Sequence, residues 1–105
     1  MTHSDKILTQ IKKIVLEQEP TAKIYLYGSR ARGTAKIDSD WDLLILLDKN
    51  KINYNEEQKI TSPLYDFELD SGEVISPMIY SKKDWFSKYP VTWFYQNVMK
   101  EGREL

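Results

Sequence analysis

The sequence lacks several features that mark common classes of protein. It has no cysteine, which excludes disulfide bonds, thiolate metal sites and a cysteine nucleophile. It has no apolar run of membrane-spanning length and no signal-peptide-like segment, so we expect a cytoplasmic protein that does not enter a membrane. Lys plus Arg number 15 and Asp plus Glu number 16, and without a basic excess we expect no bulk binding to nucleic acid. The one histidine, His3, lies near an end that we expect to fray, and we expect no role for it.

The composition is sufficient for one small folded domain. The chain has 105 residues, of which 41% are hydrophobic and 12% are aromatic. That fraction can fill one core and is too high for a disordered chain. We therefore expect residues 1–105 to form a single domain.

Hydrophobic periodicity predicts alternating helices and strands. Ser4 is the expected cap of the first helix, and Pro77 places the last strand at an edge of the sheet. The apolar run after Asp40 predicts a central strand that is buried on both faces. The order of elements predicts an α/β (α+β) fold, a small mixed β-sheet flanked by helices. Helices are predicted over residues 4–18, 54–71, 81 onward and 92–100, one or two helical turns over 29–34, and strands over 23–27, 41–47 and 74–80.

The segment YGSRARGTAKIDSDWDLLILL, residues 27–47, contains the strongest functional signal. Asp40 and Asp42 are separated by one position at the start of a strand, so their side chains point to one face and Trp41 points to the other. Neighbouring carboxylates repel each other, and a divalent cation reverses that cost. Oxygen ligands of this kind suit Mg²⁺ or Mn²⁺. Asp40 and Asp42 are therefore the predicted metal ligands and catalytic residues.

A second feature of this segment predicts phosphate binding. Gly28 has no side chain, which lets a phosphate approach the backbone, and Ser29 offers a hydroxyl and an N–H group. Arg30 and Arg32 follow at once and can reach phosphate oxygens. Each feature alone is typical of an ordinary turn or a surface charge, and the functional interpretation depends on their combination with the aspartate pair. Gly28, Ser29, Arg30 and Arg32 are the predicted nucleotide-binding residues.

The string GSRARGTAKIDSDWDLLI resembles the minimal nucleotidyltransferases of the DNA polymerase β-like nucleotidyltransferase superfamily. The likeness continues through YSKKDW to the tail from Asn97 to Gly102. The resemblance implies a polymerase β-like core, Mg²⁺ (or Mn²⁺) and a nucleoside triphosphate, most often ATP. It implies that Gly28 and Ser29 hold the triphosphate and that Asp40 and Asp42 bind the metals. Some members of the family are antitoxins that transfer AMP to a tyrosine of a HEPN-type toxin.

One position departs from the family pattern. Fully catalytic members carry a third carboxylate on the strand after the linker helix, and that strand here reads GEVISPMIY, with Ser76 at the expected position. Serine can neither bridge metals as a carboxylate does nor act as a base at neutral pH. Glu73 faces the other side if the strand is regular, and Glu68 and Asp70 are expected to be solvated helix charges.

The C-terminal aromatic residues leave two interpretations open. We favour a layer that packs the last helices on the sheet, and the alternative is a surface for a partner or for a second copy of the chain. These aromatic residues are Trp85, Phe86, Tyr89, Trp93, Phe94 and Tyr95.

Two functions follow from these features. The first is metal-dependent transfer of a nucleotidyl group, expected to be AMP from ATP, to a hydroxyl acceptor such as a tyrosine of a HEPN-type partner. The alternative is a catalytically weakened antitoxin that neutralises a helical partner by occlusion, which the serine at position 76 favours. A small-molecule antibiotic nucleotidyltransferase is disfavoured, because 105 residues leave little room for a second substrate pocket.

Overall fold

The computed structural model describes residues 2–105. Within this range no helix is both long enough and apolar enough to cross a membrane. The predicted α+β fold is confirmed, and the helical interpretation of residues 54–71 is correct. The elements are α1 (His3–Gln18), β1 (Lys23–Tyr27), α2 (Ser29–Arg32), β2 (Trp41–Leu47), α3 (Tyr54–Ser71), β3 (Ile75–Ser81), α4 (Lys82–Lys88), α5 (Trp93–Glu101) and β4 (Arg103–Glu104).

The four strands form one mixed sheet in the order β3-β2-β1-β4. β1 runs antiparallel to β2 and β4, whereas β2 and β3 are parallel and are joined through α3. β2 is interior and is buried from Leu43 to Leu47, as its apolar run predicts. β3 is an edge strand, where the missing N–H group of Pro77 is tolerated.

Alternate residues of β2 pack into two separate cores. One face, here called the α1–α3 face, combines odd-numbered β2 residues with α1 and α3, and its buried members include Ile11, Trp41, Leu43, Ile45, Leu47 and Ile60. The other, the α4–α5 face, combines Leu44 and Leu46 with Trp85 of α4 and Val98 of α5. The sheet therefore lies between two helical layers, and Asp42 belongs to the second face.

The aromatic residues near the C-terminus confirm the favoured interpretation in part. Trp85 is fully buried, and Tyr89, Phe94 and Tyr95 pack against it in the α4–α5 core. Trp93, by contrast, is 81% exposed and has no share in this core.

Two details of the ends differ from the predictions. The cap of α1 is Thr2 rather than Ser4, because Asp5 lies three residues after Thr2 and the two side chains complete a capping box. The short strand β4 was not predicted, since two residues are too few to show a periodic pattern. β4 holds the end of the chain beside β1, where Leu105 N donates to Ile24 O.

Candidate active site

A tight turn carries the chain from β1 into the single-turn helix α2. Gly28 has φ +76°, a region that L side chains rarely adopt, and its carbonyl accepts hydrogen bonds from Ala31 N and Arg32 N, both at 3.1 Å. A Cβ atom at this position would collide with Oδ2 of Asp42. The glycine thus permits both the turn and the close approach of the Asp42 carboxylate to the backbone.

The two predicted aspartates lie together at the start of β2. Asp42 pairs with Tyr27 of β1 on one side and with Ser76 of β3 on the other. Asp40 lies just before the strand, and its Oδ2 accepts a hydrogen bond of 3.0 Å from Ser76 Oγ. Trp41 is buried in the opposite, α1–α3 face, as the alternation of strand side chains predicts.

The Asp42 carboxyl is electrostatically strained. Partial burial raises its pKa, the charge of Asp40 raises it further, and only Arg32 acts in the opposite direction. The charged form is therefore disfavoured in the isolated chain, and a bound cation would offset this cost. A carboxyl perturbed by burial and by a neighbouring like charge is typical of a functional site.

Tyr27 is a neighbour of this site that the sequence reasoning missed. Burial raises the pKa of its phenol to about 12, with further contributions from the charges of Asp42 and Tyr80. Tyr27 therefore keeps its proton at neutral pH and lies beside the Asp42 carboxylate as a neutral group. Its place directly before Gly28, at the end of a strand antiparallel to β2, is the sequence signal that could have identified it.

The donor set of the site fits a hard divalent cation. Asp40, Asp42 and Ser76 supply two carboxylates and a hydroxyl, all oxygen ligands. Within residues 2–105 no cluster of three or more His, Cys, Asp or Glu residues is arranged as a metal site. The two carboxylates and the hydroxyl suit Mg²⁺, because this ion keeps several waters and takes further ligands from substrate phosphates.

The other acidic residues near β3 do not join this site. Glu73 lies in the segment before β3 and accepts a hydrogen bond of 2.9 Å from Trp41 Nε1. It is therefore on the expected, opposite face, although this hydrogen bond rather than strand alternation fixes it there. Glu68 is not a freely solvated helix charge as expected, since its Oε1 accepts a 2.6 Å hydrogen bond from the backbone N–H of Ile75. Asp70 is exposed, as expected.

The two arginines of α2 lie in different surroundings. The Arg30 side chain is 12% exposed, donates to Ser39 O and Ile37 O, and lies over the Trp41 ring on the α1–α3 side. These contacts occupy the Arg30 guanidinium on the α1–α3 side, and the phosphate contact predicted for Arg30 stays a prediction. Arg32 is 49% exposed, lies close enough to Asp42 to lower its pKa, and pairs with Glu101 of α5 at 2.9 Å. Its phosphate contact stays a prediction, and so do those of Gly28 and Ser29.

The expectation that His3 has no role is not supported by its position. His3 Nε2 lies 2.9 Å from Glu73 Oε1 and links the start of α1 to the segment before β3. Hydrogen bonds from Trp41 and His3, together with the charge of Arg30, lower the pKa of Glu73.

Comparison with known proteins matches the chain to one domain family and to one named relative. The nucleotidyltransferase domain family matches residues 8–92 of the chain. A provisionally named protein adenylyltransferase, MJ0141 of Methanocaldococcus jannaschii, is 34% identical over 79 residues, which cover 73% of this chain and 79% of that protein.

Two crystal structures share the fold. A toxin–antitoxin complex with AMP-PNP superposes with a TM-score of 0.64 at 20% identity, over 98% of this chain and 72% of the matched one. A mutant of the toxin–antitoxin MntA-HpeT gives a TM-score of 0.61 at 20% identity, over 100% and 72%. At this identity the superpositions establish the architecture alone. The extent of the family match, from α1 through the turn and the aspartate pair to the start of the C-terminal helix, shows that the chain belongs to the nucleotidyltransferase domain family.

Proposed function

We propose that this nucleotidyltransferase transfers AMP from ATP to a hydroxyl group of a protein, with a tyrosine of a HEPN-type helical partner as the acceptor. The observation that carries the proposal is the contact between the Gly28 backbone and the Asp42 carboxylate, with Asp40 alongside. This arrangement brings a phosphate-binding turn and two carboxylates together at one end of the sheet. The relative named for protein adenylylation supports the adenylyl group and the protein acceptor.

Each residue of the site has a distinct task in this proposal. The Ser29 hydroxyl and the backbone N–H groups of the turn bind the triphosphate, and Arg32 leaves Glu101 to contact a phosphate oxygen. Asp40 and Asp42 hold Mg²⁺, which when bound neutralises charge on the leaving pyrophosphate. The two carboxylates must be ionised for this task, so the raised pKa of Asp42 makes cation binding weaker at acidic pH.

Ser76 limits the rate of the proposed reaction. The acceptor hydroxyl must lose its proton as it attacks the α-phosphorus, and the serine beside Asp42 cannot take that proton at neutral pH. Asp40 is a carboxylate within hydrogen-bond distance of this position, 3.0 Å from Ser76 Oγ. We therefore expect transfer that is slow and that depends on Asp40 both as ligand and as proton acceptor.

The first test measures nucleotide binding and the identity of the transferred group. Mg-ATP is titrated calorimetrically into the wild-type chain, into Asp42→Asn and into Asp84→Asn, which alters an acidic residue of α4 paired with Lys88. A co-expressed HEPN-type partner is then incubated with ATP labelled at either the α- or the γ-phosphorus. We expect binding and α-label transfer for the wild type and Asp84→Asn. For Asp42→Asn we expect Mg-ATP affinity and α-label transfer to fall by at least about 100-fold. This loss is larger than the effect of removing only an outer partner of a metal ligand.

Three outcomes would contradict the proposal. Transfer of the γ-label would indicate phosphoryl transfer, and an undiminished rate in Asp42→Asn would show that the aspartate pair does not carry the chemistry. Absence of binding at millimolar nucleotide would indicate a site that has lost its chemistry.

A second function is favoured by the serine beside Asp42 and by exposed apolar residues near α5. Val91 is 87% exposed and Trp93 is 81% exposed, and side chains of this kind anchor interfaces. In this alternative the chain neutralises a helical partner by occlusion, or uses the same surface to form a homodimer. Neutralisation that survives replacement of both Asp40 and Asp42 but is lost in Trp93→Ala would favour it. Light scattering of the isolated chain distinguishes the homodimer.

A further inference from the structure

The loop that precedes Asp40 is held by one side chain, that of Arg30. Two of its guanidinium nitrogens donate to the same carbonyl, Ser39 O, with Nη2 at 2.8 Å and Nε at 3.2 Å, and Nη2 also lies 3.3 Å from Ile37 O. Within the loop, Ser39 N donates to Lys36 O at 3.0 Å, and Ser39 Oγ accepts from Lys36 N at 2.8 Å. Arg30 is therefore bound to the residue immediately before Asp40.

The residue immediately after Asp40 is held by the same side chain. The Arg30 guanidinium carbon lies 4.1 Å from the centroid of the Trp41 ring, within the range of a cation–π contact. Trp41 is fixed further by its Nε1–H, which donates to Glu73 at 2.9 Å, and by its backbone N–H, which donates to Val74 O at 2.8 Å. Arg30 thus contacts both residues that flank Asp40 in the sequence, Ser39 and Trp41.

Glu73 balances the charge of Arg30. Its Oε2 lies 4.0 Å from Arg30 Nη2, and the two side chains are only 15% and 12% exposed. Ion pairs so well shielded are screened less than surface pairs. Glu73 lies on the opposite side of β2 from Asp42, so it supports the site without entering it.

We infer that Arg30, together with Trp41 and Glu73, is a positioning residue that holds Asp40 and Asp42 in the geometry needed to bind the metal–nucleotide complex. This inference rests on the proposed function, because it assigns those aspartates to metal binding. It also gives a reason for arginine at this position. A lysine retains the charge but cannot direct two nitrogens at one carbonyl while its plane stacks on an indole ring.

The test compares metal affinity and loop order in matched variants. Mn²⁺ is titrated into wild type, Arg30→Lys, Glu73→Gln and Arg103→Lys, and free Mn²⁺ is followed by electron paramagnetic resonance. Arg103→Lys is the control, because Arg103 is an exposed arginine on β4. For Arg30→Lys we expect a Kd about 10-fold higher or more, the size of effect that follows loss of an outer partner of a metal ligand. For Glu73→Gln we expect a smaller rise, and for Arg103→Lys we expect none.

Amide hydrogen exchange without metal provides the readout that is independent of the ion. We expect faster exchange of residues 37–42 in Arg30→Lys, with α3 and α5 unchanged. If Arg30→Lys fails to fold, Glu73→Gln decides, since its amide can still accept from Trp41 while its charge is lost.

The outcomes separate the two claims. The inference is overturned if Arg30→Lys and Glu73→Gln bind Mn²⁺ with the affinity of the wild type and show unchanged exchange over residues 37–42. The proposed function would then remain intact. Absence of Mn²⁺ binding in the wild type, both without and with ATP, would overturn the proposed function, and the inference with it.

Discussion

The two sides of β2 carry charged residues at the same end of the strand, yet the carboxyl pKa is raised on one side and lowered on the other. On the α4–α5 side, Asp40 and Asp42 have the same sign, and the pKa of Asp42 is raised. On the α1–α3 side, Glu73 is matched with Arg30 and bonded to Trp41, and its pKa is lowered. Repulsion between two carboxylates that Arg32 offsets only in part indicates a site that requires a ligand, whereas a satisfied network indicates support.

Disrupting the contact between Gly28 and Asp42 should have the largest effect on the rate of nucleotidyl transfer. In Gly28→Ala the new Cβ meets Asp42 Oδ2, at a residue whose φ of +76° is already strained for any L side chain. The strain costs about 1–3 kcal/mol, because ψ is −158° and this region is essentially restricted to glycine. Displacement of the carboxylate by 1 Å can cost about 100-fold in rate. We expect at least that loss of nucleotidyl transfer, measured with ATP labelled at the α-phosphorus.

Gly72→Ala is the matched control for this change. Gly72 has φ +77° at the end of α3, and a Cβ there meets no atom within 4 Å. Both variants therefore place a side chain at positive φ, although Gly72 (ψ 3°) lies in the left-handed helical region whereas Gly28 (ψ −158°) lies in a region that essentially only glycine occupies. Only Gly28→Ala also disturbs Asp42. Equal losses of activity would show that strain, and not the contact with Asp42, sets the rate.

Adding a third carboxylate beside Asp40 and Asp42 should raise the rate of nucleotidyl transfer. Ser76→Asp restores the third acidic group of the family pattern beside Asp42. We expect transfer about 10-fold faster or more, because general-base catalysis is typically worth 100-fold or more. In the absence of metal we expect a lower Tm, since three like charges then meet without a cation.

Ser87→Asp is the control for the added charge, because Ser87 is exposed on α4. A rate equal to that of the wild type in Ser76→Asp, with Mg²⁺ present and the fold intact by circular dichroism, would show that proton removal does not limit transfer. The same measurement decides between a weakened enzyme and a chain that acts by occlusion.

Most of the fold follows from local patterns in the sequence. The apolar run from Trp41 to Leu47 is too continuous for a half-exposed strand, and it forms the interior strand of the sheet. Pro63 lies inside α3, although a proline usually breaks a helix, because the amphipathic pattern of Ile60 and Leu64 outweighs it. β4 was missed because its two residues depend on pairing with β1, a contact between residues far apart in the sequence.

The site was predictable only where strand alternation governs it. Alternation along β2 places Trp41 on the face opposite to Asp42. Asp40 and Glu73 lie just before β2 and β3, and hydrogen bonds with Ser76 Oγ and Trp41 Nε1 hold them on the two faces. The same reasoning cannot separate Arg30 from Arg32, since their difference depends on Ser39 carbonyl geometry and on Glu101 from the far end of the chain. Tertiary partners of this kind leave no signal in the spacing of residues.

The smallest expected effect is the pH dependence of stability without metal, and it has opposite signs for the two sides of β2. A raised pKa means that the folded state holds the proton more tightly than the unfolded state, so the ionised Asp42 lowers stability once the pH rises through its pKa. Asp42→Asn should therefore have a higher Tm than the wild type at neutral pH.

The lowered pKa of Glu73 stabilises the fold above the ordinary glutamate pKa, and this stabilisation is lost as the pH falls through the folded value. Glu73→Gln should therefore have a lower Tm than the wild type at neutral pH. Thermal melts from neutral to acidic pH should show both differences shrinking toward zero, each below the roughly 4–8 °C that 1 kcal/mol represents in a small domain. Differences of the same sign would show that the two carboxylates are not in opposite environments, because a carboxyl with a raised pKa and one with a lowered pKa cannot respond to acid in the same direction.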